Sequence, residues 1–159
     1  MNPYASQLGS RDARGAISET PEQLARLAER LGPDGMQRPP APGKWSPREI
    51  LCHLADCEIA FAFRLRQALA EPHHTIQPFD QNAWAWNYGQ LDGAAALETF
   101  SALRRWNVAL IAGAPREAYA KEVTHPERGT MTFQTLIETM AGHDLNHLRQ
   151  LEILAAQTA

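Results

Sequence analysis

At 159 residues the chain is long enough to bury a core and too short for two ordinary domains, so one domain over residues 1–159 with one site is expected. A composition 44% hydrophobic and 21% charged is globular, and no run reaches the roughly eighteen apolar residues of a membrane span. Fifteen Lys and Arg against eighteen Asp and Glu leave a net charge of −3, which exerts no overall pull on a phosphate backbone and argues against nucleic acid as main partner. The opening residues hold Arg11 and Arg14 but no apolar stretch of signal-peptide length, so a cytoplasmic location is expected. Cys52 and Cys57 point about 140° apart on a helix and read as free thiols.

Punctuation divides the chain into four helical stretches, and strand patterning is nearly absent. The first helix is opened by Thr20 before Pro21, carries Leu24, Leu27 and Leu31 on one face, and ends at Gly32-Pro33. The prolines from Pro39 to Pro42 require a loop. Ser46, Pro47 and Glu49 open the second helix with a cap, a proline at the first position and a capping box. Its inward stripe is Ile50, Leu54, Cys57, Phe61 and Leu65, and it ends near Ala70. Asp92 caps the third helix, with Ala96, Phe100, Leu103 and Leu110 facing inward and Gly113 to Pro115 stopping it. Thr130 or Thr132 caps the fourth, which runs through Leu154 with Phe133, Leu136, Met140, Leu151 and Leu154 on its apolar face.

Four helices with one apolar face each predict an all-α four-helix bundle. The link over residues 71–91 is far longer than bundle neighbours need, so it can carry the chain back along the bundle and make helices two and three parallel. Long loops of this kind are often functional, and this one holds Phe79, Asp80, Trp84, Trp86 and Tyr88.

On the fourth helix His143 and His147 fall, at roughly 100° per residue, inside the arc of Leu136, Met140, Leu151 and Leu154. An i, i+4 pair offers two imidazoles from one face to a single metal. A third candidate, His53, borders the apolar stripe of helix two, about 9 Å from its start, while His147 is about 14 Å from the end of helix four. Antiparallel packing of these helices would bring all three to one level. Three neutral imidazoles with open positions suit zinc, nickel or iron(II) alike; the competing reading is three separate core histidines satisfied by hydrogen bonds. Asp56 and Asp144 either orient an imidazole or pair across the bundle, and Gln150 is either a partner of His147 or a boundary amide. Patterns for di-iron bundles, zincins, serine hydrolases, dinucleotide binding and P-loops are absent or misplaced.

The segments Pro42–Ile50, His53-Leu54-Ala55-Asp56-Cys57-Glu58, Pro78–Trp84 and Ala141-Gly142-His143-Asp144-Leu145-Asn146-His147-Leu148 resemble, in order, the DinB-like (DinB/YfiT) superfamily, over residues 17–154. The resemblance implies an up-down-down-up four-helix bundle and one divalent metal held by His53, His143 and His147. Characterised members include metal-dependent thiol S-transferases using low-molecular-weight thiols and a mycothiol-dependent isomerase, and others are described as hydrolases. The resemblance therefore implies a metal-dependent thiol S-transferase or hydrolase acting on a small molecule; a non-catalytic metal- or ligand-binding stress-response module is the alternative. Cys57, inside the His53 motif, is given no role.

Substrate is expected to enter near the start of helix two, through a pocket walled by Trp45, Asp80 and Trp84 with the metal at its base. Asp80 and Asp144 are read first as hydrogen-bond acceptors and second as general bases. His125, in the 112–131 connection, belongs to the opposite end and reads as a loop histidine. The four Trp, five Phe and three Tyr could supply an exposed aromatic patch, which gives an expectation of homodimerisation.

Overall fold

A computed structural model describes residues 1–157, and the last two positions of the 1–159 domain expectation lie outside the described residues. The elements are α1 (Ala5–Leu8), α2 (Ala13–Gln37), α3 (Pro47–Ala70), β1 (His74–Thr75), α4 (Gln81–Trp84), α5 (Gly93–Gly113), β2 (Glu122–His125), β3 (Gly129–Thr132) and α6 (Phe133–Gln157), with 3₁₀ turns at Ala85–Gln90 and Arg116–Ala120. The long helices α2, α3, α5 and α6 form a four-helix bundle.

Helix directions follow from which ends meet. Arg48, at the start of α3, donates to the Gly89 carbonyl at 2.7 Å and lies against Gly93, the first residue of α5. At the other end Lys121, just beyond α5, donates to the Leu69 carbonyl. Helices α3 and α5 are therefore parallel, as the long link predicts. One core cluster joins Leu24 and Leu31 of α2 and Ile50 and Leu54 of α3 to Leu148, Leu151 and Leu154 of α6. The other joins Ile17, Leu65, Phe133 and Leu136. So α2 and α6 run one way and α3 and α5 the other, the up-down-down-up order.

The start of α3 forms as expected: Ser46 accepts from the Glu49 amide, and Glu49 Oε2 accepts from the Ser46 amide at 2.7 Å. Asp92 caps α5 and Thr132 accepts from the Thr135 amide at 3.2 Å at the head of α6. The start of α2 differs. It is capped by Asp12, whose carboxylate accepts from the Gly15 amide at 2.8 Å, and it runs straight through Thr20-Pro21. Proline supplies no N–H to the carbonyl four residues back, and that carbonyl, Ile17, accepts instead from Arg104 of α5 at 3.0 Å. Gly32, at φ 66°, breaks the helix before a last turn ending at Gln37, so the expected stop marks a kink.

Two further corrections concern patterning. The inward face of α5 is Phe100, Arg104, Asn107 and Ile111, with Leu103 only half-buried, because a buried polar network occupies the positions an apolar stripe would fill. The chain also contains a small sheet at the far end of the bundle. Strand β1 pairs in parallel with β2 through His74 with Val123 and Thr75 with Thr124, and β2 pairs antiparallel with β3 through Val123 with Met131. Strands of two and four residues are too short to show alternation in the sequence. Among the described residues no helix is long and apolar enough to cross a membrane.

A candidate metal centre between helices α3 and α6

The antiparallel crossing of α3 and α6 sets one imidazole from the second turn of α3 opposite two from the middle of α6. His53, His143 and His147 are 2%, 5% and 7% exposed. Ring centroids lie 5.1 Å apart for His53 and His143, 4.9 Å for His53 and His147, and 4.6 Å for His143 and His147. The Nε2 atoms of His53 and His143 are 3.1 Å apart. Two nitrogens each about 2.0–2.1 Å from one cation sit at about this separation, so His53 and His143 fit a single divalent ion; His147 stands against both by ring contact, while the ligand atoms gathered within 4.8 Å of one another are those of His53, Cys57 and His143.

Electrostatics favour the same use. Burial, reinforced by His147, pulls the His53 imidazole down to about 3. Burial first, then His147 and His53, holds His143 well below the ordinary imidazole value. Burial also lowers His147, against an opposing hydrogen bond from Gln150. The three rings are thus kept neutral at pH 7, the state in which imidazole ligates a metal.

Gln150 Oε1 lies 3.0 Å from His147 Nδ1, which keeps the proton on Nδ1 and leaves Nε2 its lone pair. Asp144 does not touch an imidazole by any hydrogen bond. Its oxygens accept from Arg104 and from Thr20 Oγ1 at 2.9 Å. Arg104 also holds Glu58 through two bonds of 3.0 and 2.7 Å, and Asn107 donates to Glu58 at 2.8 Å. The fully buried Arg104 therefore ties the helix bearing His143 to those bearing Glu58 and Ile17. Asp56 accepts from the Tyr88 hydroxyl at 2.7 Å, fastening the 3₁₀ turn to α3.

A cavity of about 770 Å³ opens onto His53 and His147, with Trp45 over His53 at a centroid distance of 4.8 Å. From the 71–91 link it is Gln81 and Asn82 that line it. Asp80 is spent on capping α4, accepting from the Asn82 and Ala83 amides, and Trp84 leans on Phe79 at 4.4 Å. Neither is among the described residues lining this cavity. His125, expected as a loop histidine at the opposite end, is instead the buried last residue of β2 and lines a cavity together with His143 and Cys57, its Nδ1 accepting from the Glu127 amide at 3.2 Å.

Two residues of the site escaped the sequence. Cys57 Sγ is 3.5 Å from His53 Nε2 and 3.9 Å from His143 Nε2, so His53, Cys57 and His143 offer three donors within 4.8 Å of one another. The signal was present, since Cys57 follows His53 by one helical turn on the same face. Burial raises the thiol to about 12. Tyr4 packs edge-on against His143 at 5.2 Å, and nothing in its neighbourhood of the sequence marks it.

Comparison with known proteins follows the same lines. A protein of Oceanobacillus iheyensis named "Putative metal-dependent hydrolase OB0782" is 28% identical over 140 residues, covering 87% of this chain and 81% of its own. One of Bacillus cereus, with the same description, is 25% identical over 139 residues, covering 87% and 80%. The solved structure of YfiT from Bacillus subtilis, described as "a probable metal-dependent hydrolase with an unusual four-helix bundle topology", superposes with a TM-score of 0.84 over 91% of this chain and 85% of its own, at 21% identity, a likeness of fold. The DinB superfamily pattern matches residues 16–151, and the chain belongs to that superfamily.

Proposed function

We propose that the chain is a divalent-metal-dependent enzyme that activates a small nucleophile, a low-molecular-weight thiol ahead of water, against a small and partly apolar substrate. The observation that carries this reading is the convergence of His53, His143 and His147 beside a cavity of about 770 Å³. A bound metal would lower the pKa of a coordinated thiol or water and supply a nucleophile at neutral pH.

The residues around it divide the remaining work. His53, His143 and His147 hold the ion as neutral donors, and Gln150 fixes the tautomer and ring angle of His147. Trp45 covers His53 and gives the substrate an apolar wall, while Gln81, Asn82 and Lys44 present polar groups to orient it. A thiol ionises far more readily than water, which suits it to activation by a bound metal at neutral pH. Hydrolysis is supported by the names of the relatives.

A second reading rests on Cys57. If its sulfur served as a fourth ligand, the shell would be closed and the centre structural, as in a binding module without turnover. Two experiments decide. Bacillithiol, mycothiol, glutathione and water are each paired with several electrophiles on zinc-, nickel- and iron-loaded protein; turnover with a thiol supports the proposal, and none with any nucleophile opposes it. Cobalt substitution reads the shell, since a thiolate-to-cobalt charge-transfer band abolished by Cys57→Ser marks the closed arrangement.

A further inference from the structure

The large cavity meets the imidazole cluster from the side of His53 and His147. On the other side lies a second cavity of about 290 Å³, with His143 and Cys57 in its wall. Tyr4 and Gln81 line both, so the two spaces share a wall beside the cluster.

The chemistry of the second cavity is set by Arg64 and Arg128. Arg64 is held in place: Nη2 donates to the Gln77 carbonyl at 3.2 Å, and the guanidinium lies 5.8 and 5.5 Å from the Phe61 and Phe79 rings. Arg128 extends from the turn between β2 and β3. Neither is in an ion pair among the described residues. The cavity has one carboxylate, Glu127, against the two guanidiniums. His125 beside them is pushed below its ordinary value by burial, then by Arg128 and Arg64, in keeping with two guanidiniums lining the same space. A pre-positioned guanidinium with free N–H groups is the side chain best matched to a planar or tetrahedral oxyanion.

We propose that this second cavity is an oxyanion subsite, in which Arg64 and Arg128 take a carboxylate or phosphate group of a small molecule whose remainder reaches the imidazole cluster past Tyr4. The proposal rests on the metal-dependent reading for its catalytic meaning, but the subsite itself is testable without metal. Malonate and inorganic phosphate are titrated separately into the full-length chain without added metal, following the His125 imidazole resonances. Saturable binding is expected for at least one, which also tells the carboxylate from the phosphate. Arg64→Gln and Arg128→Gln are each expected to weaken it about tenfold, the loss of a charge-assisted hydrogen bond, and Arg105→Gln, an exposed arginine of α5 outside both cavities, to leave it unchanged. Because Arg64 also packs on two rings, Arg128→Gln keeps the test decisive if Arg64→Gln fails to fold. Absence of saturable binding, binding within about twofold of wild type in the Arg64 and Arg128 variants, or loss on Arg105→Gln would overturn the subsite. None of these outcomes bears on metal affinity, which is measured separately.

Discussion

Gln150 stands one turn beyond His147 on α6, and its Oε1 lies 3.0 Å from the His147 Nδ1. The amide oxygen accepts there, which places the His147 proton on Nδ1 and leaves the lone pair on Nε2. Gln150→Ala is expected to weaken zinc binding by about 10–100-fold without abolishing it, and Gln150→Glu, which keeps an acceptor, to retain most of the affinity. Competition against a chromophoric chelator measures both.

Arg104 satisfies Glu58, Asp144 and the Ile17 carbonyl at once, at 1% exposure. Removing it strands two buried carboxylates. Arg104→Met is expected to cost about 3–5 kcal/mol, read from urea unfolding. Exchanging Arg104, Glu58 and Asp144 together for apolar residues of similar size should cost much less, since no charge is then left unpaired.

What was legible in the sequence was what local chemistry determines. Ser46-Pro47-Arg48-Glu49 carries its capping box in four residues, and His143 and His147 declare a shared face by spacing alone. Helix pitch, with the parallel pair implied by a long link, was enough to place His53 opposite them. The misses have tertiary causes. Pro21 looks like a helix start until Arg104 is seen replacing its missing N–H. The inward face of α5 is hidden because Arg104 and Asn107 are polar residues whose partners lie on other helices. Asp80 and Trp84 belong to the right loop, but capping and packing on Phe79 leave the cavity wall to Gln81 and Asn82.

Acid should destabilise the metal-free fold through its histidines. Folding depresses His53 to about 3 and lowers His143 and His147, so the unfolded chain binds protons first as pH falls. The stability these groups contribute is fully present above about pH 6.5 and, for His53, is lost progressively as pH falls toward about 3. Urea midpoints between pH 7.5 and pH 5 (about the span in which free imidazole titrates) should decline in wild type and decline less in His53→Leu.

Gly142 lets the N-terminal segment close onto α6. A Cβ there would stand 2.5 Å from the Tyr4 carbonyl oxygen and 2.7 Å from its Cβ. Gly142→Ala, although a better helix former, is expected to lose about 1–3 kcal/mol through this overlap and to displace Tyr4 from His143. Thermal denaturation and the Tyr4 ring resonances report the two effects.

The three-histidine centre is tested most directly by zinc titration of wild type, His53→Ala, His143→Ala and His147→Ala, with circular dichroism confirming each fold. Wild type is expected to bind one equivalent, and each variant to lose more affinity than the roughly hundredfold upper range seen for removal of a ligand's hydrogen-bond partner. Stoichiometric binding undiminished in any one variant would remove that histidine from the site, and a folded wild-type chain that takes up no divalent metal would contradict the centre altogether.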